Sequence, residues 1–519
     1  MDIIIVLDFG GQYTHLITRR IRDLGVYSEI LPFNVDIEKL KKKRPKAIIL
    51  SGGPGSVYEP DDPRLEQDFY QFTIENKIPV LGICYGHHLI MHQLGGKVES
   101  KESKEYGKSN LTILESNLLF DSLEKDQIVW MSHGDQITEI AEGFKVYAKT
   151  ETCPVAAYGN QVKQLYGVQF HPEVSNTPNG KKMLENFIYK IANCKKEWKL
   201  EGWIDKTVEE IRKEVGPKNR VILGLSGGVD SSVVAILLHK AIGERLHCIF
   251  VNNGVLRKNE EIEVKDTFEK KLKFENFHYV DAEDLFLKRL AHVEDPEEKR
   301  RIIGHTFIEV FESKTIELEK AYRDIKYLAQ GTIYPDRVET STTSKISAKI
   351  KSHHNLTLPD DMKLKIIEPL RDLYKDEVRN VGLKLGLPQY IINRHPFPGP
   401  GLAVRIIGPI DKKKLTILRN ADEILIEEIR NAGIYDQLWQ AFCVFLPLKT
   451  VGIMGDYRTY EYICSIRIVE SSDAMTASFS KLDWGLLERI GTRITNEVKG
   501  INRVVYDISN KPPSTIEYE

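Results

Sequence analysis

Cys84 sits in the run Gly82-Ile83-Cys84-Tyr85-Gly86, between the apolar stretch Pro79 to Leu81 and the helix-like stretch His87 to Leu94. A thiol flanked by glycines at this spacing fits a strained strand-to-helix turn that exposes the sulfur, and the N–H groups opening the next helix favour its thiolate form. Far along the chain, Phe170-His171-Pro172-Glu173 closes another predicted strand. His171 and Glu173 are two residues apart, so extended backbone turns both to one side, a base beside the carboxylate that orients it. A third run, Ser51-Gly52-Gly53-Pro54-Gly55, ends an apolar segment, and its glycines let backbone N–H groups approach a developing oxyanion. Each has a plainer reading alone: a buried inert cysteine, a core-edge histidine, a turn. Together they describe acyl transfer to a cysteine.

The second constellation is Leu225-Ser226-Gly227-Gly228-Val229-Asp230-Ser231-Ser232, between a predicted strand Val221 to Leu225 and the helix-like Val233 to Lys240. Consecutive small residues at a helix start present N–H groups to an anion, so Ser226 to Ser232 read as a phosphate cradle. No Walker lysine is present. Gly107-Lys108-Ser109 ends like that motif, but Glu102 stands where its opening glycine belongs. Gly224-Leu225-Ser226-Gly227-Gly228 also fits a serine elbow, so a hydrolase stays open as a rival. His353 and His354 are adjacent, yet no third ligand has suitable spacing, and no metal is assigned to them.

These residues need α/β scaffolds to hold them. Ile3 to Leu7, Ala47 to Leu50 and Pro79 to Cys84 are short apolar runs ending in Gly-containing turns, which is parallel-sheet punctuation; Leu111 to Leu114, Ile128 to Met131 and Gln164 to Phe170 read as more antiparallel. Residues 1–193 are expected to form the first domain, and 194–205 a linker, with Asp205 or Thr207 as cap of the next helix. Residues 206–394 repeat the parallel pattern with strands at Val221, Leu246, Phe277 and Tyr327, and Glu339 to Pro359 reads as a lid. Three prolines in His395 to Gly401 break any helix, and 395–519 alternates long strands and helices as an α+β domain.

With 519 residues, two or three domains are expected, and 41% hydrophobic with 29% charged residues is a globular composition. The net charge of -2 gives no global reason to expect nucleic acid, and no apolar run reaches membrane-span length. The six cysteines lack any C-x-x-C, and the start of the sequence lacks a signal-peptide pattern, so a cytoplasmic, disulfide-free chain is expected.

The cysteine elbow, the distant H-P-E and the S-G-G-P-G strand end resemble the class I (triad) glutamine amidotransferases. That resemblance implies Cys84 as nucleophile, His171 as base, Glu173 as its orienting carboxylate, and the N–H groups of Gly53 and Tyr85 as oxyanion hole. The S-G-G-x-D-S-S run resembles the N-type ATP-pyrophosphatases, which share the adenine nucleotide alpha-hydrolase-like fold; there ATP is split between its α and β phosphates and Asp230 would hold Mg²⁺. Phe250 to Arg257, Ile303 to Phe307, Leu328 to Asp336, His353 to Asn355, Arg394 to Gly401 and Lys511 to Glu517 resemble the GMP synthase family along essentially the whole chain. The resemblance implies two open parallel-sheet α/β domains followed by an α+β dimerisation domain. It also implies glutamine, XMP and ATP as substrates, a homodimer, and XMP contacts at Arg300, Gln440, Arg503, Lys511, Ile516 and Glu517.

Three positions depart from that family's pattern: His88 replaces a Gln four residues after the nucleophile, Asn252 an Asp, and His305 an Arg. The segment after Asn355 is also one residue short. Another glutamine-dependent ATP-pyrophosphatase ligase, or a chain with a decayed glutaminase fed by ammonia, is the alternative expectation.

Overall fold

The computed structural model describes residues 1–66, 68–336, 364–471 and 476–519. The expected lid at 339–359, with His353, His354 and Asn355, lies outside them. The chain divides into two compact units, Met1–Lys199 and Leu200–Glu519.

The first unit carries a nine-stranded sheet in the order β2-β1-β3-β4-β9-β8-β7-β5-β6. Its parallel part is β1 (Ile3–Asp8), β2 (Tyr27–Pro32), β3 (Ala47–Leu50), β4 (Val80–Ile83) and β9 (Leu165–Val168). Antiparallel pairing continues it through β8 (Ala157–Asn160), β7 (Lys145–Lys149), β5 (Lys97–Ile113) and β6 (Asp126–Glu139). The central strands are apolar without alternation because both faces are covered: Ile4 to Leu7 and Ile48 to Leu50 are fully buried. Neighbouring strands β3, β4 and β9 run the same way, so the residues after them emerge at one edge. Those residues include Ser51, Cys84 and His171.

The second unit opens with a helix Leu200–Val215. The linker expected over 194–205 is therefore helical from Leu200, and Asp205 and Thr207 lie inside the helix rather than capping it. The reason is the apolar stripe: Ile204, Val208, Ile211 and Val215 recur at helical spacing and are buried, which commits the preceding turn too. A parallel five-stranded sheet follows in the order β12-β11-β10-β13-β14, made of β10 (Arg220–Gly224), β11 (Leu246–Asn252), β12 (Phe277–Asp281), β13 (Ile325–Ala329) and β14 (Lys365–Ile367). The Ser226 to Ser232 run follows central β10 and leads into the helix Val229–Ile242.

The third sheet is a long hairpin, β15 (Gln440–Met454) and β16 (Tyr457–Glu470), with β17 (Ser478–Phe479) antiparallel and β18 (Ile501–Tyr506) parallel to β16. One apolar core joins it to the five-stranded sheet, running from Ile222 and Ile249 through Leu402 and Ile417 to Phe445 and Ile466. That core takes residues from both sides of position 394. Residues 511–519 run back as a strap against β15, with Ile516 buried in a second, smaller apolar cluster beside Phe442 and Val444.

Candidate functional site

Cys84 caps the helix Tyr85–Gln93 with φ 52° and ψ -102°, a left-handed conformation that costs a non-glycine residue about 1–3 kcal/mol. The turn is held by close backbone approach: a Cβ on Gly86 would lie 2.5 Å from the carbonyl oxygen of Leu50. Tyr85 is the first helical residue, where an N–H has no intrahelical acceptor. Gly53 packs beside it, its missing Cβ 3.3 Å from Tyr85 Cγ. Gly52 stands between the two reactive groups, since a Cβ there would be 3.5 Å from His171 Cε1 and 3.7 Å from Cys84 Cβ.

His171 Nδ1 donates to Glu173 Oε1 at 2.7 Å, and both side chains are buried. Burial works against a charged ring, but Glu173 and the neighbouring Cys84 sulfur outweigh it and hold the imidazole well above its usual value. Arg20 Nε donates to the Glu173 carbonyl at 3.0 Å, and the Tyr13 ring meets His171 edge-on at 5.0 Å. The structure thus brings together Cys84, His171, Glu173, Gly53 and Tyr85 around one point.

Behind the sulfur lies a polar cluster that sequence patterning did not single out. Ser132 O is 3.7 Å from Cys84 Sγ, and the Gln169 amide nitrogen is 3.9 Å from it. Next along β6, His133 Nδ1 donates to Asp135 O at 2.8 Å and Nε2 lies 3.2 Å from Glu105 Oε2. Burial raises the Glu105 carboxyl, but hydrogen bonds from His133, Thr152 and Thr150 hold it below the usual range. The legible signal was weak: Gln169 is one polar residue in an otherwise apolar strand end, directly ahead of Phe170-His171.

In the second unit the loop after β10 is tied into a ring. Ser226 Oγ and Ser231 Oγ are 3.0 Å apart, Gly228 N donates to Ser226 Oγ at 3.3 Å, and Ser232 Oγ donates to Gly228 O at 2.7 Å. Gly227 has φ 74°, and a Cβ there would meet Val264 Cγ2 at 2.6 Å, so only glycine fits. Arg394 ties the loop from outside, donating to Gly227 O at 3.2 Å while paired with Glu260 at 2.5 Å. Asp230 points its Oδ2 to the Lys375 ammonium, and its Oδ1 is buried without a hydrogen-bond partner among the described residues. Ser226 is not among the residues of positive φ, and its hydroxyl partners are Ser231 and Gly228 rather than a base. The serine-elbow hydrolase gains no support from this geometry. Lys375 and Glu260 lie outside the loop's motif and sequence patterning did not single them out, while Arg394 opens the Arg394 to Gly401 block without its contact to the loop being legible.

Of the six residues expected around XMP, the structure groups Gln440, Ile516 and Glu517. Gln440 Nε2 donates to Glu517 Oε1 at 2.6 Å, and the fully buried Arg405 donates to both Glu517 oxygens at 3.0 and 2.9 Å. Lys511 lies on the same strap, its backbone bridged to Ala477. Arg503 is exposed on β18, and Arg300 pairs with Glu297 on its own helix. At the departures, Asn252 donates to Asp281 Oδ1 at 3.2 Å and accepts from Gly254 N at 3.1 Å, a double role that an aspartate facing Asp281 could not fill. His305 is exposed on the helix Pro296–Ala321.

Comparison with known proteins adds independent findings. Family models match residues 5–191 as glutamine amidotransferase class-I, 199–300 as NAD synthase, and 427–518 as GMP synthase C terminal domain. A cysteine-elbow amidotransferase on one chain with a phosphate-cradling α/β module defines a glutamine-dependent ligase. Full-length relatives narrow the class. The chain is 53% identical to a glutamine-hydrolyzing GMP synthase of Brachyspira hyodysenteriae, covering 100% of this chain and 99% of the relative. It is 53% identical to that of Thermosipho melanesiensis over 100% of both, and 52% identical to that of Aquifex aeolicus over 99% of both. The chain belongs to the glutamine-hydrolysing GMP synthase family.

Proposed function

We propose that the chain hydrolyses glutamine at Cys84, adenylylates XMP with ATP at the Ser226 to Ser232 loop, and aminates the adenylyl-XMP to yield GMP, AMP and pyrophosphate. The observation that carries the first half is the buried His171–Glu173 pair at 2.7 Å facing a cysteine held at positive φ. In this reading the Cys84 sulfur adds to the amide carbon of glutamine while the N–H groups of Gly53 and Tyr85 receive the oxyanion. His171, its Nδ1 fixed by Glu173, passes a proton to the departing ammonia and then activates the water that frees glutamate from the thioester.

In the second half, the helix Val229–Ile242 and the small residues ahead of it cradle the phosphates of ATP. The 2-oxygen of XMP displaces pyrophosphate from the α-phosphorus, and ammonia then displaces AMP. Mg²⁺ fits Asp230, whose orphaned buried Oδ1 is a hard oxygen ligand; magnesium is commonly held by one or two carboxylates with substrate phosphates supplying the rest. When bound, it would offset charge on the phosphate oxygens and the leaving pyrophosphate. Lys375, already against Asp230, would face the same phosphates. Arg300, Gln440, Arg503, Lys511, Ile516 and Glu517 are assigned to XMP.

A homodimer through residues 395–519 is supported by the exposed apolar strip of the β15–β16 hairpin, where Leu448, Val451, Ile453, Tyr457 and Tyr460 face outward. No helix of the described residues is long and apolar enough to cross a membrane, and all six cysteines are free and buried, which supports a cytoplasmic setting. The test is AMP release from XMP, ATP and Mg²⁺ with either glutamine or ammonium. Cys84→Ala should abolish the glutamine-driven reaction and spare the ammonium-driven one; loss of both would sink the two-site reading.

A further inference from the structure

His88 stands where the resembling family carries Gln, one helical turn after the nucleophile, and it is buried. Its Nε2 lies 2.5 Å from Gln169 Oε1. An amide oxygen only accepts, so His88 Nε2 carries the proton and donates. That bond turns the other end of the carboxamide, the NH₂ group, toward Cys84, 3.9 Å from the sulfur. Gln169 itself is fully buried, and its backbone N–H is spent on Ala156 O at 2.9 Å, so the side chain has little freedom. Burial, then the nearby His133, push the His88 ring down to about 4, against the opposing effect of the Gln169 bond. The ring is therefore neutral at ordinary pH, with one N–H to give.

We propose that His88 is a positioning residue that acts through Gln169, locking its carboxamide so that an N–H faces the Cys84 sulfur, and that it does not itself meet the substrate glutamine. The inference rests on the reading of Cys84 as glutaminase nucleophile. A donor aimed at sulfur favours the charged thiolate over the neutral thiol, so its effect falls on acylation and on the reactivity of the free enzyme's sulfur. Substrate binding is left alone, because no glutamine contact is involved. A chain whose His88 merely marked a decayed glutaminase would show no such dependence.

The test uses the full chain and three readouts: glutaminase kcat, the KM for glutamine, and the rate at which iodoacetamide alkylates Cys84 without substrate. His88→Leu and Gln169→Met keep roughly the side-chain volume while removing the donor and the carboxamide. Each should lower kcat about tenfold, the scale of one lost hydrogen bond, slow alkylation in parallel and leave KM within about twofold. The double variant should be no worse than either single. His88→Gln, which returns an N–H donor to the position, should restore most of both rates. If either leucine or methionine variant fails to fold, Gln169→Glu serves, since it keeps the shape and turns an oxygen on the sulfur; it should slow alkylation at least as much. A rise in KM with kcat and alkylation unchanged would overturn the proposal, as would additive losses in the double variant. Glutaminase activity that survives complete alkylation of Cys84 would instead remove the nucleophile assignment beneath it.

Discussion

Single residues carry the chemistry here, and two of them make separable predictions. Asp230→Asn keeps the side-chain shape but removes the charge at the head of the phosphate cradle. AMP formation should fall by orders of magnitude with either nitrogen source, while glutamine hydrolysis by the folded variant persists; unchanged AMP formation would take Asp230 out of the site. His88 also records its burial in the pH dependence of stability. The unfolded ring titrates near 6.5 and the folded one near 4, so between these values the unfolded chain binds the extra proton. Stability from this group is full above about 6.5 and lost as pH falls toward 4, by roughly 3 kcal/mol. In urea titrations, His88→Gln should therefore gain that much on the wild type between pH 7 and pH 4. A constant difference across that range would contradict the buried neutral ring.

At the scale of elements, the strap over residues 511–519 supplies counter-charges to two of three buried cations, Lys299 and Arg405, and a carbonyl acceptor to the third, Arg467. Lys299 reaches Ala403 O at 3.3 Å, Ile406 O at 2.8 Å and the Glu519 carboxylate; Arg405 takes Glu517; Arg467 lies 3.3 Å from Asp507 and donates to Ser509 O and Thr515 O. Removing one partner of a buried pair leaves a stranded charge, at about 3–5 kcal/mol. Glu519→Gln should approach that loss, and Lys299→Met with Glu519→Leu should recover much of it, both read from denaturation midpoints. Equal stability of Glu519→Gln and wild type would show the pair to be incidental. None of this was legible beforehand, because Lys299, Arg405 and Glu519 meet only through tertiary packing. What was legible was local: the glycines of the elbow, the apolar runs of the parallel strands, and the two-residue spacing of His171 and Glu173. The helix start at Leu200 was missed because its stripe begins at Ile204, beyond the polar residues that suggested a linker.

For the whole molecule, the two units differ in how they can be divided. Residues 1–199 hold their own core, from Ile5 and Leu7 to Tyr158 and Leu165. Expressed alone, this fragment should unfold cooperatively and, if Cys84 acts as proposed, retain an alkylatable thiol; a molten fragment without a sharp transition would count against it. Residues 206–394 should not fold alone, because their core is continuous with Leu402, Ile417 and Phe445.

The strap has a further consequence, in the order of synthesis. Lys299 and Arg405 emerge from the ribosome well before Glu517 and Glu519, which follow every strand of the second unit. Residues 1–199 are complete by then and free to fold, since domains generally fold as they are made. The second unit has its sheets in hand yet carries buried cations with no anion to meet them, so its closure waits on translation of the strap. A nascent chain paused after the last strand of the second unit and before residue 517 would present a finished first unit and an open second one, a state suited to chaperone capture and to proteolysis confined to one half.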